Sequence, residues 1–141
     1  MAICLIISTQ TRIVVKTPQD KWNDTILKLR KQCLSIIKVS DNIRYAGVIN
    51  EYGRTLTGMV KPGIKPLLKS EQVKNEFFIM STLITLRQNA ASAVGKLEYV
   101  VLKHEKVSII LLQKNKITFY VSIDNKEKTP DKLILKIKKI I

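Results

Sequence analysis

Residues 43–60 read Ile43-Arg44-Tyr45-Ala46-Gly47-Val48-Ile49-Asn50-Glu51-Tyr52-Gly53-Arg54-Thr55-Leu56-Thr57-Gly58-Met59-Val60. Two β-prone runs flank a short polar turn, the pattern of a hairpin. Ile43 to Asn50 is expected as one strand and Arg54 to Val60 as the next. Glu51-Tyr52-Gly53 joins them, with Gly53 able to take positive φ. Gly47 and Gly58 fall inside the strands. Interior glycine weakens a strand, so each is expected to mark a bulge or a close approach by a helix.

Before the hairpin, Thr17-Pro18-Gln19-Asp20 announces a helix: a capping hydroxyl, proline in the first turn, and an acid three residues after the cap. Trp22, Ile26, Leu29, Cys33, Ile36 and Ile37 fall on one stripe, and Ser40-Asp41-Asn42 stops the helix. After the hairpin, Lys61 to Pro66 is a loop, since two prolines and Gly63 break pairing. A second helix is expected from Ser70, as cap, to Ala93, with Gly95 just past its end. Three strands follow: Leu97 to Lys103, Val107 to Gln113 and Lys116 to Ile123, the last two joined by Lys114-Asn115. Ile109 to Leu112 is apolar on both faces, which suits a strand covered on both sides. Thr129 and Pro130 open a final helix, with Leu133, Ile137, Ile140 and Ile141 on its buried side and lysines on the other.

The expected architecture is therefore α+β, in the order α-β-β-α-β-β-β-α. A five-stranded, mainly antiparallel sheet carries the central helix on one face and the terminal helices on the other. Residues 17–141 form a single domain. Residues 1–16 are expected as an N-terminal arm or an extra edge hairpin, built from the β-prone Ile3 to Ile7 and Arg12 to Val15.

The second helix has more apolar surface than one sheet needs. Val73, Phe77, Met80 and Ile84 make one stripe, and Ile79, Leu83, Leu86 and Ala90 make another beside it. Together they cover about half the circumference, where a surface helix typically needs an arc of about 100°. Phe78 points elsewhere again. Either the helix is deeply buried in its own domain, or it packs on its own sheet and on a partner as well. Glu76 and Arg87 interrupt the arc. Arg87 either lays its stem along the surface, pairs across an interface, or holds an anion.

The chain has 25 basic and 11 acidic residues, a net charge of +14. Twenty of the basic residues are lysine and five are arginine, and aromatic residues make up 6% of the chain. Specific nucleic-acid readers favour the arginine fork and aromatic stacking platforms. The balance fits a solvated lysine surface with salt-sensitive, non-specific adhesion to nucleic acid. The five glycines are scattered, so no phosphate-binding loop exists. One histidine and two cysteines do not make a zinc site. Cys33 reads as a buried thiol rather than a nucleophile paired with His104. A transmembrane span and a signal peptide are both unexpected, which places the chain in the cytoplasm. No enzyme, metal or cofactor reading emerges.

The element order resembles that of roadblock-type domains, which belong with the longin and profilin-like folds. Ala46 to Arg54 looks like that family's first β-turn-β. Residues 19–141 also resemble a family of small archaeal proteins, through Ile43 to Val48, Gly63 to Leu68, Leu86-Arg87-Gln88 and His104 to Val107. The roadblock resemblance implies a non-enzymatic homodimer whose subunits meet through the central helix and the edge strand after it. It also implies a scaffold or regulator of small GTPases, but carries no GTPase-contact residue onto this chain. The archaeal resemblance brings no activity with it.

The first expectation is thus a homodimeric interaction or regulatory module, with Val73, Phe77, Met80, Ile84 and Arg87 as the candidate interface. A domain sensing a small acidic ligand, with Arg44 and Arg87 as anion-binding candidates, is the alternative. A basic nucleic-acid-associated protein is the third.

Overall fold

The computed structural model describes residues 15–141. Residues 1–14, which hold most of the expected arm or hairpin, lie outside the described residues. Helix α1 (Pro18–Val39) opens on the reciprocal cap read from the sequence. The Asp20 N–H donates to Thr17 Oγ1 and the Thr17 N–H donates to Asp20 Oδ2, each at 3.2 Å. Two donors that a helix start leaves without partners are thereby satisfied.

Strands β1 (Ile43–Ile49) and β2 (Thr55–Val60) form the expected hairpin. The long helix α2 (Ser70–Asn89) follows, then one short turn of helix, α3 (Ala91–Val94). Strands β3 (Val100–Lys103), β4 (Val107–Lys114) and β5 (Ile117–Asp124) lead to the last helix, α4 (Pro130–Ile140). The sheet order is β2-β1-β5-β4-β3 and every neighbouring pair is antiparallel. The α+β architecture is the one expected.

Its two faces are covered unequally. On one, Leu29, Cys33 and Ile36 of α1 and Leu133, Ile134 and Ile137 of α4 close over Val48, Ile110, Phe119 and Val121. On the other, α2 buries Phe77 and Ile84 in a smaller cluster with Ile49, Ile109, Leu111 and Tyr120, with Val73 and Met80 half-buried beside them. Strand β4 is buried on both sides because its residues alternate between these clusters, as its unbroken apolar run foretold.

Several boundaries differ from expectation. The α2 cap is Lys69, whose N–H donates to Gln72 Oε1 at 2.8 Å, so Ser70 lies inside the helix. The helix ends at Asn89, and a separate turn reaches Gly95, where φ is +88°. Strand β3 starts at Val100 instead of Leu97, leaving a short edge. The β4–β5 turn is Asn115-Lys116, both at positive φ (52° and 65°), which matches the twist of a two-residue hairpin. At α4, Pro130 sits in the first turn, but the Thr129 hydroxyl donates to Glu127 instead of capping.

The interior glycines have a different cause from the one expected. Gly47 and Gly58 are cross-strand partners, and the Tyr45 ring lies over both. A Cβ at Gly47 would meet the Tyr45 hydroxyl at 2.2 Å, and one at Gly58 would meet it at 2.3 Å. The bulge falls at Val48/Ile49 instead. Close helix approach occurs at the hairpin tip: a Cβ on Gly53, at φ +81°, would lie 2.6 Å from Phe78 Cα. Gly63 has a similar φ of +82° but open space around it.

These two positions make a matched pair. Gly63→Ala carries only the left-handed backbone penalty, about 1–2 kcal/mol. Gly53→Ala adds a clash with helix backbone that no rotamer relieves, for a total of about 3–5 kcal/mol. Urea unfolding of both variants against wild type measures the difference.

Candidate functional site

The periodicity of α2 gives it two apolar faces, and the sheet takes one. Phe77 and Ile84 are 3% and 1% exposed, packed against the chain's own sheet. Val73 and Met80 are half-buried against the same cluster. The stripe expected at a contact between chains is thus the inward stripe. Helical spacing reveals that two stripes exist but not which one the sheet claims. The choice is made by Tyr120, Ile109 and Leu111, which reach up from β5 and β4 to meet Phe77 and Ile84.

The outward stripe is left open. Phe78, Ile79 and Leu86 are 60%, 57% and 61% exposed, with Leu83 half-buried between them. Arg87 is exposed on the last turn of α2 and has no ion-pair partner among the described residues. Among the described residues strand β3 pairs only with β4, and Tyr99 and Val101 are exposed beside its other edge.

Arg44 sits elsewhere, half-buried at the start of β1. Its Nη2 donates to the Lys65 carbonyl at 2.9 Å, tying the 61–69 loop to the sheet. The structure does not bring Arg44 and Arg87 together: Arg44 lines a cavity to which Arg87 does not contribute.

That cavity, about 460 Å³, lies between the sheet, the first half of α2 and the 61–69 loop. Tyr45, Tyr120 and Phe77 supply its aromatic surface, and Ile64, Leu67 and Leu68 its aliphatic wall. The rings meet edge to face, with centroids 6.1 Å apart for Tyr45–Tyr120 and 4.8 Å apart for Phe77–Tyr120. A neighbouring hollow of about 420 Å³ shares Leu67, Leu68, Val107, Ile109 and Tyr120 and extends to Glu76 and His104. Burial, together with the Glu76 carboxylate beside it, pushes the Tyr120 phenol well above its ordinary range, so it stays protonated. Glu76 Oε2 is buried and makes no close hydrogen bond, while the Tyr120 hydroxyl faces the same carboxylate from longer range. The sequence marked Glu76 only as a break in an apolar arc, and it gave no sign that Tyr45 and Tyr120 converge. An aromatic residue two positions before an interior strand glycine, as Tyr45 is to Gly47, was the available signal.

Among the described residues, Cys33 and His104 are not brought together. Cys33 is 0% exposed inside the core, and burial pushes its thiol up to about 11. His104 is exposed at the β3–β4 turn. Among the described residues no three His, Cys, Asp or Glu side chains are grouped to hold a metal ion. No described helix is long and apolar enough to cross a membrane.

The fold is that of roadblock/LC7 domains. A roadblock/LC7 domain from Streptomyces avermitilis superposes with a TM-score of 0.60 at 10% identity, over 78% of this chain and 88% of that one. The gliding protein MglB from Thermus thermophilus gives 0.62 at 10% identity, over 90% and 93%. An MglB with a tetrameric arrangement gives 0.59 at 11% identity, over 90% and 93%. The chain matches no protein-family model and no curated protein.

The Cys33 environment makes a signed prediction. The folded thiol lies above its unfolded value of about 8.5, so the native state holds its proton longer. Stability from this group is complete below that value, falls as pH rises, and is fully lost beyond about 11. Denaturant midpoints measured between those limits should fall less steeply in Cys33→Ala than in wild type. A thiol reagent at neutral pH should label native Cys33 only at the rate of unfolding.

Proposed function

We propose that this chain is a non-enzymatic regulatory module that works as a homodimer in the cytoplasm, joined through the outward face of α2 and the outer edge of β3. One observation carries the reading. The helix whose inner stripe fills the core also exposes Phe78, Ile79 and Leu86 on its other side. Contiguous apolar surface of this kind marks a site of association. A twofold axis would pair the same face of both copies and bury it without any other component. The likeness to roadblock/LC7 domains, one of them in a tetrameric arrangement, supports association. The joined sheets offer a platform for a protein partner, and the roadblock resemblance points to a small GTPase. Nucleic acid stays a non-specific, salt-sensitive ligand of the lysine surface.

Light scattering after size exclusion tests the contact. The expected mass is twice 16.1 kDa, retained at high salt because the contact is apolar. Ile79→Arg and Leu86→Arg should each give a folded monomer with an unchanged circular dichroism spectrum. Phe77→Ala should instead lower stability by about 3–5 kcal/mol. A wild-type monomer at high micromolar concentration would sink the proposal.

A further inference from the structure

The cavity beneath α2 is independent of the outward face, and its polarity is lopsided. Its walls are almost wholly apolar, and its volume of about 460 Å³ falls within the range of small-molecule sites. In the neighbouring hollow, which shares Leu67, Leu68, Val107, Ile109 and Tyr120 with the cavity and is also lined by His104 and the exposed Lys106, Glu76 Oε2 is out of solvent and makes no close hydrogen bond. A buried polar atom without a partner is costly, and a charged one more so. Among the described residues no cation pairs with Glu76. Arg44, which lines the cavity, is already engaged by the Lys65 carbonyl. Lys65 and Lys74 line the cavity as exposed residues, with solvent to receive their charge.

We propose that this cavity binds an alkylammonium ligand: a protonated amine beside Glu76 and Tyr120, carried on a hydrocarbon or aryl-alkyl body that lies among Leu67, Leu68, Val73 and Phe77. Three features fit that chemistry together. The amine supplies the donor that Glu76 Oε2 lacks, as a charge-assisted bond. The Tyr120 and Phe77 rings offer the electron-rich surfaces that attract an organic cation. The apolar body fills space between helix and sheet that this chain's own side chains leave open. The same features disfavour the acidic ligand expected from Arg44, because a carboxylate at this end would face Glu76.

Isothermal titration with phenylbutylamine and with phenylbutyrate separates the possibilities, because the two share a body and differ in charge. The amine should bind, and the acid should bind at least about tenfold more weakly. Glu76→Gln should weaken the amine by about tenfold or more, the fold-change carried by one charge-assisted hydrogen bond. Arg87→Gln, which lies outside the cavity, should leave it unchanged. Chemical-shift changes at Tyr120 and Leu67 in wild-type protein locate the site without any variant. The proposal is overturned if neither probe binds, or if both bind equally and ignore Glu76→Gln. It is also overturned if the acid binds better and loses affinity in Arg44→Gln, which would assign the cavity to anions. If the amine fails to bind, and Glu76→Gln and Arg87→Gln both weaken a dimer, then a second copy's Arg87 satisfies Glu76.

Discussion

A central strand that is apolar on both sides has to be covered on both sides. Strand β4 imposes that condition through Ile109 and Leu111 on one face and Ile110 and Leu112 on the other. Strand β5 repeats it with Tyr120 on one side and Phe119 and Val121 on the other. Helices α1 and α4 meet the demand on one face with close aliphatic packing. Gln32 Nε2 ties the two helices together by donating to the Ile140 carbonyl at 3.2 Å. On the opposite face α2 is the only long cover among the described residues, and it meets Tyr120 together with Ile49, Ile109 and Leu111. The Phe77 and Tyr120 rings meet edge to face there, and both line the cavity. The asymmetry between a dense face and an open one follows from which side chains the middle strands present.

Much of this was legible in the chain. The Thr17-Pro18-Gln19-Asp20 cap, the hairpin around Gly53 and the doubly apolar run of β4 are local signals, each fixed by the chemistry of a few adjacent residues. The element order and the side of the sheet taken by each helix followed from them. The sidedness of α2 did not. Two neighbouring apolar stripes satisfy helical periodicity equally, and only the tyrosine and isoleucines of distant strands decide which one turns inward. The glycines were misread for the same reason. Gly47 and Gly58 look like breaks in a strand until Tyr45 is seen lying over both, a contact that exists only once the strands pair. The candidate site was partly visible as an excess of apolar surface on α2. Its interior counterpart depends on contacts between residues dozens of positions apart, such as Glu76 and Tyr120.

The described surface and interior point in one functional direction. Nothing in the described chain assembles a nucleophile, a base and an oxyanion site. The Cys33 thiol is sealed in the core with its proton held. Beside the cavity, the described residues offer surface: an apolar helix face and a strand edge that none of them pairs with. These are the ingredients of association, and they sit on the more loosely covered side of the sheet. The basic charge surrounds them without organising them, since few of the lysines have acidic partners among the described residues.

Phe77 and Phe78 are adjacent in the chain and face opposite ways, one against Tyr120 and the other toward solvent. Between them, the hairpin tip rests directly on the helix backbone at Gly53, with no side chain as a cushion. Contact of backbone on backbone leaves no room for a side chain at the tip, so the hairpin seats directly on the turn of α2 that sends one ring into the core and the next to the surface.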